Sequence, residues 1–429
     1  MSATSPTARR VAVVGSGVSG LVAAWVLARD RHVTLYEADD RLGGHADTHD
    51  VQVGDQTVAV DTGFIVHNER TYPTLLRLFA ELGIPTQESD MSMSVRDQET
   101  GLEWAGALGA SGLFPSRANL RNPRYLRMLT EIPRFHRMAR KLLATPEVST
   151  RSTTDLDETL AQFLERGRFT DFFVTYFMTP LVSAVWSTDP DHALDYPARY
   201  LFRFLEHHGM LTVGDSPQWM TVVGGSRTYV DALAERLPAV RAGDPVTSVL
   251  RTFDGVEVRT RAGRTDTFDR IVLALHADDA LGLLADPTPS EKEVLGAFRY
   301  TQNETVLHRD GSLMPRARLA RSSWNYLVGA DPSQGAVVTY WMNRLQGLPA
   351  DEPFYVTLNA TDRIDPASVV ATMQYRHPLY DLDAVRAQRH LSELTTRTTT
   401  FAGAYHGWGF HEDGCRSGVE AAAAFGVAW

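Results

Sequence analysis

The chain has 429 residues and a formal net charge of −10, which excludes a nucleic-acid partner because backbone binding needs a dominant basic surface. Its single cysteine, Cys415, excludes an intramolecular disulfide and a cysteine-based zinc cluster, so we expect a reducing, cytoplasmic location. With 43% hydrophobic residues it can bury a large core, and its length favours two or more domains.

The first predicted elements form a βαβ unit. Residues 11–15 predict a buried parallel strand, 18–29 a helix and 33–37 a second strand. Arg9 and Arg10 precede an apolar run, as in a secretory signal, but three glycines interrupt that run and we expect no signal peptide. No stretch reaches the roughly 20 apolar residues of a membrane span.

The later elements alternate between helical and strand patterns. From Phe64 onward the periodicity predicts an inserted helical region, with helices in 70–83, 117–145 and 155–180. Strands are predicted in 246–258, 266–275, 301–308, 336–342, 353–358 and 397–402. The chain should therefore pass twice between a nucleotide-binding domain and a second domain, each discontinuous in sequence.

A glycine-rich turn lies inside the βαβ unit. GSGVSG at 15–20 has the spacing GxGxxG: Gly15 allows the tight turn, Gly17 lets a pyrophosphate approach, and Gly20 lets helix and strand pack closely. Glu37 ends the second strand, where a carboxylate can accept hydrogen bonds from a ribose. The pattern predicts a dinucleotide site.

Two further segments favour FAD over a nicotinamide cofactor. After Glu37, Ala38 begins the segment ADDRLGGH, in which Arg41 can face phosphate and Gly43 and Gly44 can pass beside a ribityl chain. At the other end of the chain, FAGAYHGWGFHEDGCRSG offers a second loop and a helix starting at about Ser417. FAD is too long for one βαβ crevice, so this second loop would hold its middle and its ring.

These motifs together resemble the flavin-containing amine oxidase and phytoene desaturase superfamily. More narrowly, the stretches 60–95, 185–190 (VWSTDP) and 219–230 (WMTVVGGSRTYV) resemble a bacterial family of NAD/FAD-binding proteins. Members of that family are often encoded beside cyclopropane fatty acid synthases. The resemblance extends from Val11 to about Ala424 and implies an α/β fold, with a Rossmann-like FAD-binding domain interleaved with a discontinuous α+β substrate domain.

The resemblance implies domain limits and a set of cofactor-binding residues. The FAD-binding domain would comprise 1–64, 225–285 and 396–429, and the substrate-binding domain 65–224 and 286–395. Val246 would meet the adenine through its backbone, and Asp61, Thr62 and Gly63 would lie near the ribityl or flavin end of the cofactor. The full set is Gly15, Ser16, Gly17, Val18, Ser19, Gly20, Glu37, Ala38, Arg41, Gly43, Gly44, His45, Thr62, Gly63, Val246, Gly403, Phe410, His411, Glu412, Asp413 and Ser417.

Candidates for catalysis follow from a missing lysine. The flavin amine oxidases typically place a lysine near the ring, but this chain has only Lys141 and Lys292, neither in a plausible strand. By rough register Glu304 falls at that place and is either a base or a surface residue. His308 and His411 compete for the role.

Three other features bear on ligands. Trp186, Trp324, Tyr326, Tyr340, Trp341 and Trp408 are candidates to line a cavity, although aromatic residues are more often core. His45, Asp47 and His49 lack a remote third ligand, so no metal is predicted. A basic amphipathic helix in 121–142 suggests contact with anionic lipid or a carrier protein, the alternative being a solvated basic face over the core.

The sequence therefore predicts an FAD-dependent oxidoreductase of the oxidase, dehydrogenase or desaturase type, acting on an apolar, lipid or acyl-chain substrate. There is no second GxGxxG for a nicotinamide cofactor, so the substrate itself should reduce the flavin. The alternatives are an oxidase or redox-neutral isomerase of specialised metabolism, and an FAD-binding accessory protein of a lipid methyltransferase.

Overall fold

The computed structural model describes residues 9–145, 158–212, 214, 216–329, 335–349 and 351–429. Its strands are β1 (Arg10–Val14), β2 (His32–Tyr36), β3 (Thr48–Val53), β4 (Gln56–Asp61), β5 (Val66–Asn68), β6 (Thr86–Ser89), β7 (Met93–Asp97), β8 (Glu103–Ala105), β9 (Trp219–Val222), β10 (Val240–Arg241), β11 (Val246–Arg251), β12 (Val256–Thr260), β13 (Thr265–Phe268), β14 (Arg270–Leu273), β15 (Arg299–His308), β16 (Trp324–Val328), β17 (Val338–Trp341), β18 (Tyr355–Leu358), β19 (Val369–Leu379) and β20 (Thr399–Phe401). Its α-helices are α1 (Val18–Leu27), α2 (Pro73–Leu82), α3 (Gly109–Leu113), α4 (Arg117–Arg121), α5 (Pro123–Ala144), α6 (Leu160–Arg166), α7 (Asp171–Phe173), α8 (Thr179–Trp186), α9 (Ala198–His207), α10 (Arg227–Ala234), α11 (Ala277–Leu283), α12 (Pro289–Gly296), α13 (Met342–Leu345), α14 (Leu382–Gln388) and α15 (His411–Ala424). A π-helical segment, Val174–Met178, joins α7 to α8.

A five-stranded sheet of parallel strands gathers three separate stretches of the chain, in the order β10-β2-β1-β14-β20. Strand β1 is apolar throughout its buried part because both faces of the sheet are covered. Val11 and Val13 face the core that contains α1 and α15, whereas Ala12 and Val14 face a second core beneath β11, β12 and α12.

The helices near the two ends of the chain, α1 and α15, pack against each other. A Cβ atom on Gly418 would lie 2.4 Å from the carbonyl oxygen of Ser19, and one on Gly414 would lie 2.6 Å from a methyl group of Val18. Only glycine permits this approach. The loop before α15 is thereby held beside the glycine-rich turn that precedes α1.

A second, seven-stranded sheet has the order β19-β15-β18-β17-β16-β7-β8. Adjacent strands in this sheet are antiparallel, except that β16 and β7 run parallel to each other. Helix α8 contacts β16 and β19, and the apolar cluster on this side of the molecule extends through α5, α6, α8 and α9. The face of the sheet toward α8 therefore borders the aromatic core.

Most predicted elements are confirmed to within a few residues, and the differences are as follows. The region after Phe64 contains strands β5 to β9 as well as helices, and strands β3, β4, β10, β16 and β19 were not predicted. Strand β19 alternates weakly and holds Pro378, which an edge strand tolerates. Of the predicted helical segment 155–180, residues 155–157 lie outside the described residues.

The start of α15 is a correction. The sequence predicted a loop up to about Ser417, but the helix begins six residues earlier, at His411. The carboxylate of Asp413 accepts hydrogen bonds from the backbone N–H groups of Trp408 and Phe410, which fold the preceding loop onto the first turn. A first-turn carboxylate also suits the positive end of the helix dipole.

The predicted basic amphipathic helix corresponds to α5, which runs through Pro133. Its apolar side is not free, since Tyr125, Met128 and Phe135 are fully buried in the core. The arginines of its outer side are largely exposed. Within the described residues, no helix is long and apolar enough to cross a membrane.

Candidate functional site

A cavity of about 710 Å³ opens between the carboxyl edge of the parallel sheet and the seven-stranded sheet. Its walls come from both ends of the chain and from the middle. Of the predicted cofactor-binding residues, those that line it are Gly15, Ser16, Gly17, Val18, Ser19, Glu37, Arg41, Gly43, Gly44, His45, Thr62, Gly63, Gly403, Phe410 and His411. This volume lies within the usual range of ligand and cofactor sites.

The glycine-rich turn brings the start of α1 to the cavity. Gly15 has φ +98°, and a Cβ on Gly20 would lie 1.9 Å from the carbonyl oxygen of Gly15, so both positions need glycine. Gly17 is different, because no atom lies within 4 Å of the place its Cβ would take. It precedes α1 as an N-cap without a side-chain hydrogen bond. The free N–H groups at this helix end suit a pyrophosphate.

The second predicted motif lies directly against the first. Gly43 pairs with Gly17 in an isolated parallel bridge, and a Cβ on Gly44 would lie 3.2 Å from the Cα of Gly17. The guanidinium of Arg41 donates to the carbonyl oxygen of Gly44 at 2.9 Å and pairs with Asp47 at 3.1 Å. Arg41 thus lines the cavity, while its guanidinium is already hydrogen-bonded and ion-paired within its own loop.

Glu37 connects the end of β2 to the glycine-rich turn. Its carboxylate accepts hydrogen bonds from the backbone N–H groups of Ser16 (2.8 Å), Ala38 (2.6 Å) and Asp39 (3.0 Å), and also from the Ser16 hydroxyl. It therefore fixes the position of the turn while its side chain borders the cavity. A carboxylate can accept further hydrogen bonds from ligand hydroxyls at such a place.

The C-terminal segment contributes in two ways. His411 lines the cavity, stacks on Phe64 with ring centroids 3.7 Å apart, and its Nε2 lies 3.0 Å from the Tyr229 hydroxyl. Burial lowers the pKa of His411 to about 3, so the ring is neutral at pH 7. Ser417 acts from behind, because its hydroxyl accepts a hydrogen bond from the Gly403 N–H at 3.0 Å.

Six predicted cofactor-binding residues do not line the cavity. Gly20, Ser417 and Asp413 support the loops around it, and Asp413 has a pKa raised by burial to about 6. Glu412 accepts from the backbone N–H groups of Thr74 and Leu75, at the start of α2. The other two are Ala38, which borders a separate surface pocket, and Val246, at an irregular pair in β11.

Two of the three predicted catalytic residues lie outside the cavity. Glu304 accepts hydrogen bonds from Thr361 and Gln374, and His308 is fully buried with Nε2 2.8 Å from the Thr357 hydroxyl. The structure therefore brings only His411 of the three to the cavity wall. Side chains alternate along β15, so the neighbour of Glu304, Asn303, points the other way.

Asn303 and several other polar residues were not found by sequence reasoning. Asn303 is fully buried and its amide donates to the carbonyl oxygen of Ser187 and to Nδ1 of His377. His377 and His276 line the cavity beside His45, with ring centroids 5.4 and 6.0 Å from that of His45. Burial, with His377 and His276 close by, holds the pKa of His45 well below its usual range. No local motif marks these residues.

A hydrogen-bonded chain links the two sides of the site. Thr62 lies 2.7 Å from the Tyr375 hydroxyl, which donates to Asp47 at 2.8 Å, and Asp47 is the partner of Arg41. Since the Tyr375 proton is committed to Asp47, Thr62 donates to Tyr375. These hydrogen bonds hold Thr62 and Asp47 against Tyr375 of β19.

Of the aromatic candidates, Trp186, Trp324 and Tyr340 line the cavity, whereas Tyr326, Trp341 and Trp408 do not. The other large apolar residues of this wall are Val66, Met91, Phe204, Met210, Trp219 and Leu358. His208 lies among them with a pKa lowered by burial to about 4, and its Nδ1 lies 2.9 Å from the Phe204 carbonyl oxygen. This half of the cavity therefore carries no charge among the described lining residues.

The residues fit FAD. An uncapped helix end beside an open glycine face suits the pyrophosphate, and Glu37 suits a ribose. Three polar atoms of the wall are buried and lack a hydrogen-bond partner among the described residues, namely His45 Nε2, Trp324 Nε1 and the Tyr405 hydroxyl. Such atoms are costly unless a ligand satisfies them.

The chain is similar in sequence to known proteins. The family described as flavin containing amine oxidoreductase matches residues 18–307. A Mycobacterium tuberculosis protein assigned as flavin-containing monoamine oxidase AofH is 29% identical over 288 residues, which span 65% of this chain and 59% of that protein, less than two thirds of its length.

Solved structures show the same fold. Putrescine oxidase bound to putrescine superposes with a TM-score of 0.69 at 17% identity, covering 97% of this chain and 98% of that one. The CLA-producing fatty acid isomerase from P. acnes gives 0.69 at 16% identity, covering 98% and 100%. The predicted fold class is confirmed.

Proposed function

Because the chain belongs to the flavin containing amine oxidoreductase family and is an FAD-dependent oxidoreductase, we propose that it removes hydride from an uncharged, apolar substrate, a lipid or an acyl chain. Bound FAD supplies the hydride acceptor. The protein binds and orients the lipid or acyl chain of the substrate, and excludes water from it. Loss of a hydride to the flavin and of a proton to a base, for which neutral His411 is the candidate, leaves a double bond between neighbouring carbons. The two electrons pass on to dioxygen or to a carrier.

The single observation that carries the proposal is the charge distribution in the cavity. The charged lining residues among those described are Glu37, Asp39, Arg41, Asp279 and Arg376. The first three follow β2 in the cofactor half, and Arg376 pairs with Asp279 at 2.8 Å. A buried ammonium or carboxylate costs several kcal/mol unless it is paired, so an amino acid or diamine lacks a partner in the apolar half.

The proposed site residues follow from the cavity wall. The fifteen predicted cofactor-binding residues that line it would hold FAD, and His411 stays a proposed catalytic residue because it borders both halves as a neutral base. The proposed domains are 1–64, 225–285 and 396–429 for FAD, and 65–224 and 286–395 for the substrate. The parallel sheet supports this division, since its strands all come from the first set.

A lipid substrate is also in line with two weaker observations. The sequence resembles a family often encoded beside cyclopropane fatty acid synthases. The outer side of α5 carries Arg124, Arg137 and Lys141, exposed in an otherwise acidic protein, and would hold the protein on an anionic lipid surface or a carrier.

A redox-neutral isomerase is the second candidate. The chain shares its fold with the CLA-producing fatty acid isomerase from P. acnes and has no second GxGxxG for a separate reductant. In that case the hydride returns to a different carbon of the same chain, and no electrons leave the protein.

The test is anaerobic mixing of the yellow holoprotein with panels of phospholipids, acyl thioesters and amines. The proposal predicts loss of the flavin absorbance with a lipid or acyl compound and not with amines. A rearranged product without lasting bleaching selects the isomerase. A response only after addition of a methyltransferase partner selects the accessory role.

A matched pair of variants shows whether the apolar half is the substrate site. Met210→Asp places a charge in that wall and should abolish the response while FAD remains bound. Phe253→Asp changes a residue that is 93% exposed and should have no effect. Bleaching by amines alone, or an unchanged response in Met210→Asp, would contradict the proposal.

A further inference from the structure

His377, which lines the cavity, and its fully buried hydrogen-bond partner Asn303 form a polar pair that the proposed function does not use. They lie on neighbouring strands, β15 and β19, and their side chains share one face of the seven-stranded sheet. Asn303 bonds to Ser187, in the apolar half of the cavity, whereas His377 lies against His45 of the cofactor half. The pair therefore stands at the junction of the two halves.

The hydrogen bonds around Asn303 fix the orientation of its amide. The Asn359 side-chain nitrogen donates to the carbonyl oxygen of Ala336 at 3.1 Å and to Oδ1 of Asn303 at 2.7 Å. Nδ2 of Asn303 then faces the carbonyl oxygen of Ser187 at 3.0 Å, which can only accept. The backbone oxygens of Ala336 and Ser187 thus establish which atom of the Asn303 amide is the oxygen and which is the nitrogen.

The same amide fixes the tautomer of His377. Nδ2 of Asn303 lies 2.9 Å from Nδ1 of His377, so Nδ1 accepts and the ring proton is on Nε2. Burial lowers the pKa of His377 to about 4, which keeps the ring neutral at pH 7. His377 consequently presents one N–H donor, and no acceptor for it occurs among the described residues.

The reacting end of the cofactor should meet this donor. Gly17 and the start of α1 suit the pyrophosphate and Glu37 the ribose, so the ring of FAD is left for the junction with the apolar half. We propose that His377 donates a hydrogen bond through Nε2–H to the edge of the flavin ring, and that Asn303 is the positioning residue that holds it in this form.

This arrangement has a measurable effect on the flavin. Reduction adds negative charge to the ring, and a fixed donor stabilises that charge. The donor should therefore make reduction more favourable without needing to exchange a proton. The inference depends on FAD binding alone and not on the identity of the substrate.

The experiment compares purified holoproteins by visible absorption spectrum and by reduction potential from dye-equilibrated titration. His377→Leu should shift the spectrum and make reduction about tenfold less favourable, which corresponds to about 1.4 kcal/mol. His377→Gln keeps an N–H donor and should recover part of the loss. His136→Gln changes a buried histidine on α5 that does not line the cavity, and should match the wild type.

Asn303→Leu tests the positioning role separately, since it leaves His377 in place and releases its tautomer. It should change the spectrum in the same direction as His377→Leu, by a smaller amount, and it keeps the inference testable if His377→Leu fails to retain FAD. An unchanged spectrum and potential in a folded, FAD-loaded His377→Leu protein would overturn the inference. So would equal losses in His377→Leu and His377→Gln, or a wild-type spectrum in Asn303→Leu.

Discussion

At the scale of single residues, Glu37 shows how one carboxylate can serve both the fold and a ligand. It closes the turn by accepting from Ser16 and also borders the cavity. Its charge matters because hydrogen bonds to a charged group are worth about 1.5–3 kcal/mol, more than those between neutral groups.

We expect Glu37→Ala to weaken FAD binding by about tenfold or more, because it removes both the ribose acceptor and the brace on the turn. Glu37→Gln should fall between Ala and the wild type. The dissociation constant is measured by flavin fluorescence during titration of the apoprotein. Asp55→Ala, in the exposed turn between β3 and β4, is the control. Undiminished flavin content in purified Glu37→Ala would contradict the assignment.

Glu304 and Asn303 show what one residue of register decides. Adjacent strand residues face opposite sides of a sheet, so Asn303 points toward the cavity side while Glu304 bonds to Thr361 and Gln374. A sequence comparison places a strand to within about one residue, which is enough to find β15 but not to choose its inward side chains.

At the scale of elements, α15 shows that local sequence does not decide where a helix begins. The glycines and acidic residues of GFHEDG are typical of a loop, and no local pattern predicts a helix that begins at His411. The reason is tertiary. Contact of Gly414 and Gly418 with α1, together with the Asp413 hydrogen bonds, makes those residues the first turns of a packed helix.

Helix α5 has an amphipathic sequence pattern that fits two different roles. An amphipathic pattern cannot by itself tell a membrane-binding helix from a core helix, because both have one apolar side. In this protein the apolar side, which includes Phe135, is buried in the core. Only the basic outer side, with the partly exposed Leu126, remains for a partner.

If that side binds anionic lipid, reversing Arg124, Arg137 and Lys141 to Glu should weaken binding to phosphatidylglycerol vesicles about 100-fold, since each basic residue contributes about 1 kcal/mol. Binding of the wild type should fall with added salt and be weak on phosphatidylcholine. The matched control reverses three exposed arginines elsewhere, Arg236, Arg264 and Arg318. Cosedimentation measures both. Equal losses in the two triple variants would contradict a local surface.

At the scale of the whole molecule, buried histidines make the fold sensitive to acid. Burial lowers the pKa of His67, His208, His308, His377 and His406 to about 4 and that of His411 to about 3. In the unfolded chain a histidine has a pKa of about 6.5. Between pH 6.5 and 4 the unfolded chain therefore binds more protons, and the folded state loses stability as the pH falls.

Two buried acids act in the opposite direction. The pKa of Asp61 and that of Asp413 are both raised by burial to about 6, so between pH 6 and 4 the folded state takes up protons at these sites and gains stability as the pH falls. They offset only part of the effect of six histidines. We expect the Tm to fall by on the order of 5 °C or more from pH 7.5 to pH 5, measured by calorimetry with and without FAD. A Tm that holds or rises at pH 5 would show that the histidines are not buried as described.

The sequence alone determined the parts that are local. The GxGxxG turn, α1 and Glu37 lie within one βαβ unit, where fixed spacing and apolar runs specify both the backbone and the cofactor chemistry. The resemblance extended this to the FAD requirement and to the C-terminal segment, and the fold class is confirmed.

Only the tertiary structure decided which side chains face the ligand. His377 and Asn303 are 74 residues apart, and Asp47 is 328 residues from its hydrogen-bond partner Tyr375. Such contacts depend on strand register and on how α1, α15 and the second sheet pack, neither of which leaves a local pattern. The uncharged wall of the cavity is likewise formed by residues that are far apart in the sequence, so it can be recognised only in the folded structure.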